Sequence, residues 1–187
     1  MENVDAIVSA VRSLAERKIG ALIAIQRDVG FGGILQSGVT IECQLTSEML
    51  EQIFFPNTPL HDGGVVVHGN RILAAGCTFP LTQQTGLNRE LGMRHRAGIG
   101  LTEETDAVVI MVSEETGIIS LAYKGRLIRH IDEGRLRRFL SALLVPRSLE
   151  ARIWPISRFV EPARSEKSPE QVFEEFERET AAGILTK

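Results

Sequence analysis

Hydrophobic positions along this chain change period repeatedly, and the changes mark its elements. Val4, Ile7, Val11 and Leu14 recur at spacings of three and four, which predicts a helix over residues 2–18 with one apolar face. Gly20 is placed to end it. Ala21 to Ile25 is continuously apolar, the pattern of a strand buried on both faces. Gly30, Gly32 and Gly33 predict a flexible turn, and Val39 to Leu45 alternates partly, as a second strand would. Thr46 is an N-cap for a helix through Met49, Leu50, Ile53 and Phe54, which Asn57, Pro59 and the glycines after Asp62 bring to a stop. Val65 to His68 is β-branched, Gly69-Asn70 is a tight-turn dipeptide, and Arg71 to Phe79 returns as the second arm of a hairpin.

A polar loop at 82–90 leads into a helix expected to begin near Glu90 and to carry Arg94 to Ile99. Strands follow at 107–112, 118–123 and 127–131, separated by turns at Glu114–Gly117 and Lys124-Gly125. Asp132 caps a helix holding Leu136, Phe139, Leu140, Leu143 and Leu144. No internal repeat is visible. After Pro146 the composition shifts, and residues 155–168, rich in Pro, Ser, Arg and Glu, read as a linker or surface extension. Ser168-Pro169-Glu170-Gln171 is a helix start with a cap, a proline at the first position and a Gln that can close a capping box. Val172, Phe173 and Phe176 give this last helix, expected over 169–181, an apolar stripe that must dock, on this domain in preference to a neighbouring chain. The division expected is a domain over 3–145 and an extension over 146–187. Hairpins force antiparallel neighbours while helical crossovers permit parallel ones, so the fold class is α/β, a mixed β-sheet flanked by helices on both faces.

Composition narrows the function. With 187 residues, 43% apolar and 24% charged, the chain can bury an ordinary core. A net charge of -3 argues against a non-specific nucleic-acid binder. Cys43 and Cys77 sit inside apolar runs and read as two buried free thiols of a reducing compartment rather than a disulfide. No apolar run approaches the ~20 residues that span a bilayer. Glu2 and Asp5 stand where a signal peptide would be positive, so the chain as given is expected to be soluble.

Two polar motifs interrupt the apolar pattern. In Leu60-His61-Asp62-Gly63-Gly64 a carboxylate, an imidazole and bare backbone stand just before a strand. The acid suits a hard divalent cation, Mg²⁺ or Mn²⁺, and the glycines admit a phosphate or ribose to the backbone N–H groups. Taken alone, Asp-Gly is more often a plain turn. Arg94-His95-Arg96 offers forked donors suited to phosphate oxygens, flanked by small or apolar residues where two guanidiniums are costly without anions. Positions i and i+2 of a helix point apart, so Arg94 and Arg96 are expected to serve different phosphates or different subunits. Ser113-Glu114-Glu115-Thr116-Gly117 adds a hydroxyl and acids at a strand end, which is otherwise an ordinary hairpin turn. Together these motifs predict a protein that handles a nucleotide polyphosphate.

Lys18 to Ile23, Pro56 to Gly63, Arg71 to Cys77, Glu90-Leu91-Gly92, Arg94 to Ala97 and Ser113 to Gly117 together resemble the diadenylate cyclase (DAC) domain, over roughly residues 3–145 and closest to the bacterial membrane-anchored A-type cyclases. The resemblance implies a nucleotidyltransferase that joins two ATP into cyclic di-AMP, a bacterial second messenger, with release of two pyrophosphates. The reaction would run between two facing domains of a homodimer or higher oligomer. It places Asp62, and His61 with it, at a divalent metal (Mg²⁺ or Mn²⁺, with Co²⁺ a further candidate). Arg94, His95, Arg96 and Ser113 would meet phosphates, with Glu114 beside them. Gly63 and Gly64 would face the nucleotide, and Gly76, Cys77, Thr78 and Phe79 would line the adenine pocket. Nucleic acid is not an expected partner. A cytoplasmic domain is implied, anchored to the plasma membrane in full-length relatives through a segment absent from this chain. Two departures stand out: the family's Asp-Gly-Ala reads Asp62-Gly63-Gly64, and its threonine before Arg-His-Arg is Met93. The loss of that hydroxyl motivates a rival reading as a weak or inactive ATP or cyclic di-AMP sensor.

Overall fold

The structure, a computed structural model, describes residues 2–85, 91–144 and 167–182. Seven strands form one sheet in the order β2-β4-β3-β1-β5-β6-β7. They are β1 (Ala21–Ile25), β2 (Val39–Gln44), β3 (Gly64–His68), β4 (Arg71–Cys77), β5 (Val108–Val112), β6 (Ile119–Tyr123) and β7 (Arg126–Arg129). Only β1 and β3 pair in parallel; every other neighbouring pair is antiparallel. The central strands β1 and β5 are buried along their whole length, as their unbroken apolar runs require.

Helices cover both faces. On one lie α1 (Glu2–Glu16), α3 (Ser47–Phe54), α5 (Glu133–Leu144) and α6 (Pro169–Ala181), whose apolar stripes share a core with Ile23, Val65, Ile110 and Tyr123. On the other lie α2 (Gly32–Ser37) and α4 (Met93–Glu104), over Leu22, Ala24, Val66, Val109 and Met111. The expected caps are in place. Thr46 Oγ1 accepts from the Met49 N–H, Asp132 Oδ1 accepts from the Arg135 N–H, and Ser168 and Gln171 close a capping box behind Pro169.

Three expectations are corrected. The glycine cluster at 30–33 is not merely a turn, because Gly32–Ser37 forms a short helix, α2. Gly20 does not end α1. The Ile19 N–H reaches the Leu14 carbonyl at 2.8 Å and the Lys18 N–H the Ala15 carbonyl at 3.1 Å, with Lys18 at φ 52, so a Schellman motif centred on Lys18 stops the helix. The helix carrying Arg94 starts at Met93, with Gly92 as its N-cap; the start expected at Glu90 lies outside the described residues, but Leu91 and Gly92 are already non-helical.

The linker expected at 155–168 falls mostly outside the described residues. Beyond it, α6 docks on this same chain. Val172, Phe173 and Phe176 are fully buried, and Phe173 packs against Tyr123 and Phe139 at centroid distances of 5.6 and 5.9 Å. Cys77 is buried and Cys43 half-buried, both as free thiols, and burial pushes the Cys77 thiol up to about 11.

Candidate active site

Strand direction decides where the chemistry gathers. The N-terminal ends of β1, β3 and β6 and the C-terminal ends of β4, β5 and β7 all lie at one end of the sheet. The segment before β3, the segment after β4, the β5–β6 turn and the start of α4 therefore converge. Between them opens a cleft of about 1260 Å³.

His61, Asp62 and Gly63 form one wall, with Gly76, Cys77, Thr78 and Phe79 beside them. Asp62 is exposed, so its carboxylate is available at the rim. His61 Nδ1 lies 2.5 Å from the Thr58 carbonyl. A carbonyl only accepts, so Nδ1 carries the proton and Nε2 is the nitrogen left to bind a cation. Gly63 has φ +102, and a Cβ there would lie 2.8 Å from the Gly76 carbonyl carbon and 2.9 Å from the Cys77 oxygen. Only glycine supplies both that backbone geometry and that close crossing. Gly64 does not line the cleft. The room it leaves is filled by the Phe79 ring, which a methyl group at position 64 would overlap.

The start of α4 forms the facing wall. Gly92 caps it without a side chain, and its first turn holds no acid, so the positive end of the helix dipole is not neutralised there. The Arg-His-Arg triplet is split: Arg94 and His95 line the cleft, and Arg96 does not. Arg94 enters the cleft and donates from Nη1 to Glu114 Oε2 at 2.6 Å. His95 is buried, with Nε2 hydrogen-bonded to Ser120 Oγ at 3.1 Å. Burial, and then the charge of Arg129, hold His95 below its ordinary pKa. Arg96 is exposed and does not line the cleft. Met93, 65% exposed, and Leu81, 42% exposed, stand at the rim.

The third wall is the β5–β6 turn. Ser113, Glu114, Glu115 and Thr116 border the cleft, and the turn closes with the Gly117 N–H donating to the Ser113 carbonyl at 2.9 Å. Three participants escape a reading of the sequence. Arg129 reaches the cleft from β7, Ser120 orients His95, and Gly20 lies under the Arg94–Glu114 pair. Ser120 and Arg129 are direct cross-strand partners, a relation visible only once β6 and β7 are paired in register. No cluster of three or more His, Cys, Asp or Glu side chains suited to a metal exists among the described residues. A cation here would rest on Asp62 and His61 and take its remaining ligands from phosphate oxygens, as Mg²⁺ commonly does.

A family model described as DisA bacterial checkpoint controller nucleotide-binding, the DAC family, matches residues 8–127. The cyclic di-AMP synthase CdaA of Bacillus subtilis is 45% identical over 141 residues, which are 75% of this chain and 52% of that protein. A diadenylate cyclase of Listeria monocytogenes is 43% identical over 142 residues, 76% of this chain and 52% of that protein. The chain thus spans about half the length of these relatives. The crystal structure of a double cysteine mutant of DacA from Staphylococcus aureus superposes with a TM-score of 0.75 at 35% identity, covering 77% of this chain and 96% of that one. A structure described as a hypothetical membrane spanning protein from Bacillus cereus gives a TM-score of 0.68 at 44% identity, covering 71% of this chain and 65% of that one. With that family match over residues 8–127 and a mixed sheet that superposes on DacA, the chain belongs to the DAC nucleotide-binding family.

Proposed function

We propose that this domain is a diadenylate cyclase, a nucleotidyltransferase that condenses two ATP into cyclic di-AMP. One observation carries the reading: in a member of the DAC family, Asp62, Arg94 and the Ser113–Glu114 turn, far apart in sequence, meet around a single cleft. In each half-reaction the 3′-oxygen of one ATP attacks the α-phosphorus of the other. A P–O ester bond forms while the bond to the β-phosphate bridge breaks. Pyrophosphate leaves with the electron pair, and the hydroxyl proton passes to solvent. The second half-reaction closes the ring.

The protein's work is positioning and charge stabilisation. Glycine-walled backbone at Gly63 and Gly76 lets a nucleotide approach closely, with Cys77 to Phe79 beside the base. Arg94, Ser113 and the start of α4 face the triphosphate, and neutral His95, fixed by Ser120, is a hydrogen-bonding group rather than a charge. A divalent cation (Mg²⁺, Mn²⁺ or Co²⁺), held by Asp62 with His61, supplies polarisation of the α-phosphate and a lower pKa for the attacking hydroxyl. Arg96, pointing away from its own cleft, is assigned to the nucleotide of a facing copy, since joining two nucleotides into a two-fold symmetric product calls for two domains face to face. The catalytic unit is residues 3–145, with α6 as a buttress. Likeness to a protein described as membrane spanning supports a cytoplasmic domain tethered by a segment outside this chain. Among the described residues no helix is long and apolar enough to cross a membrane.

Incubation with ATP and each cation in turn, followed by chromatography, tests the reading. Cyclic di-AMP with two equivalents of pyrophosphate is expected. Met93, exposed at the rim where the family carries a hydroxyl, favours one alternative, a sensor that binds without turnover. Nucleotide binding with no product under any cation would establish that alternative instead.

A further inference from the structure

We infer that Gly20 is a positioning residue for the reaction, and that its missing side chain is what seats the Arg94 guanidinium in the cleft. The inference rests on the cyclase reading for its function, but its geometry is independent of it. A Cβ at position 20 would lie 2.7 Å from both Cζ and Nη1 of Arg94 and 3.0 Å from Glu114 Oε2. The guanidinium and its carboxylate partner thus rest on bare backbone at the entrance to β1.

The kind of atom that would be displaced decides where the cost falls. All three atoms are the far ends of flexible side chains, and no backbone atom is among them. At Gly63, by contrast, a Cβ would meet backbone at a φ of +102. Gly20 is not in the left-handed region, so alanine fits its backbone without strain and reduces the freedom of the unfolded chain. A methyl group there is accommodated by moving Arg94 away from Glu114, not by opening the fold. The loss is one of function at constant or higher stability. Helix termination, the duty that the sequence suggests for this glycine, belongs to Lys18.

The test is a double-mutant cycle on the parent protein, Gly20→Ala, Arg94→Ala and the pair. An ATP analogue with a methylene bridge between its α and β phosphates is titrated calorimetrically, and thermal melting is followed alongside. Gly20→Ala is expected to weaken the analogue about tenfold, the scale of one charged hydrogen bond, with melting unchanged or raised. Added to Arg94→Ala it should cost nothing more, because the group it displaces is gone. The Arg94 Nε–H NMR signal, assigned with Arg94→Lys, should move in Gly20→Ala even without nucleotide. An unmoved signal, unweakened binding, a further loss in the double variant or a lowered melting point would each overturn the inference. Analogue binding by the parent, with no cyclic di-AMP formed when ATP and a divalent cation are supplied in its place, would overturn the cyclase reading and leave the seat intact.

Discussion

Asp62 stands exposed at the rim of the cleft, with His61 beside it and Gly63 making the close crossing to Gly76. Asp62→Asn keeps the volume and removes the charge. Product formation should fall to background while the melting curve stays that of the parent, since no buried contact is lost; residual turnover at ordinary cation concentration would take Asp62 out of the metal site. His95 makes a pH prediction. Its folded pKa lies below the ordinary 6.5, so the unfolded chain binds the proton first as pH falls. The associated stability is fully present above 6.5 and is lost as pH falls below it through the lowered folded value. Urea midpoints should drop between about pH 7 and pH 5, and His95→Gln should flatten part of that slope. Parallel slopes in the two proteins would mean that His95 is not the titrating group. Asp62-Gly63 and Arg94 were legible in the sequence because short motifs state their chemistry. Gly20, Ser120 and Arg129 were not, because each acts across a gap that only the folded sheet closes. Arg94 and the buried His95 border the cleft while Arg96 does not, a split that follows from helical rotation, of which the sequence showed only that Arg94 and Arg96 diverge.

Among the elements, α6 is anchored on the cleft-bearing domain by buried aromatic rings and charged hydrogen bonds. Its Phe173 fills a cluster with Tyr123 and Phe139, while Glu170 accepts from the Tyr123 hydroxyl at 2.7 Å and Glu175 from Arg138 at 2.7 Å. The Tyr123 phenol, followed by backbone and Lys124 contacts, and for Glu175 the Arg138 guanidinium followed by Lys167, hold both carboxyls down to about 2. Their contribution is therefore present above pH 4.5 and lost as pH falls toward 2. Phe173→Ala should cost about 3–5 kcal/mol in urea unfolding at neutral pH; a change under about 1 kcal/mol would mean that α6 is not docked in solution. The caps of α3, α5 and α6 were written in the sequence, each in a Ser, Thr or Asp at the right offset. Helix α2 was not, for it buries none of its residues and so carries no apolar period to read. It is held by partly buried Ile34 and Leu35 on the core, by buried Phe31 before it and by Gly38 against β4 after it.

At the scale of the whole molecule, the alternation of hairpins and crossovers was enough to specify a mixed sheet covered on both faces. It was not enough to specify strand order, and the cleft exists because of that order: placing β1 between β3 and β5 brings Gly63, Ser113 and α4 together. A net charge of only -3 leaves copies free to approach one another, and the exposed Met93 and Leu81 border the opening that a second copy would have to face. On the proposed function, two such clefts, each holding one ATP, make a single reactor. The direct measurement is cyclic di-AMP formed per mole of protein across a dilution series, with mass followed by light scattering. Specific activity should rise with protein concentration and collapse where the protein is monomeric. A constant specific activity from a proven monomer would contradict the account.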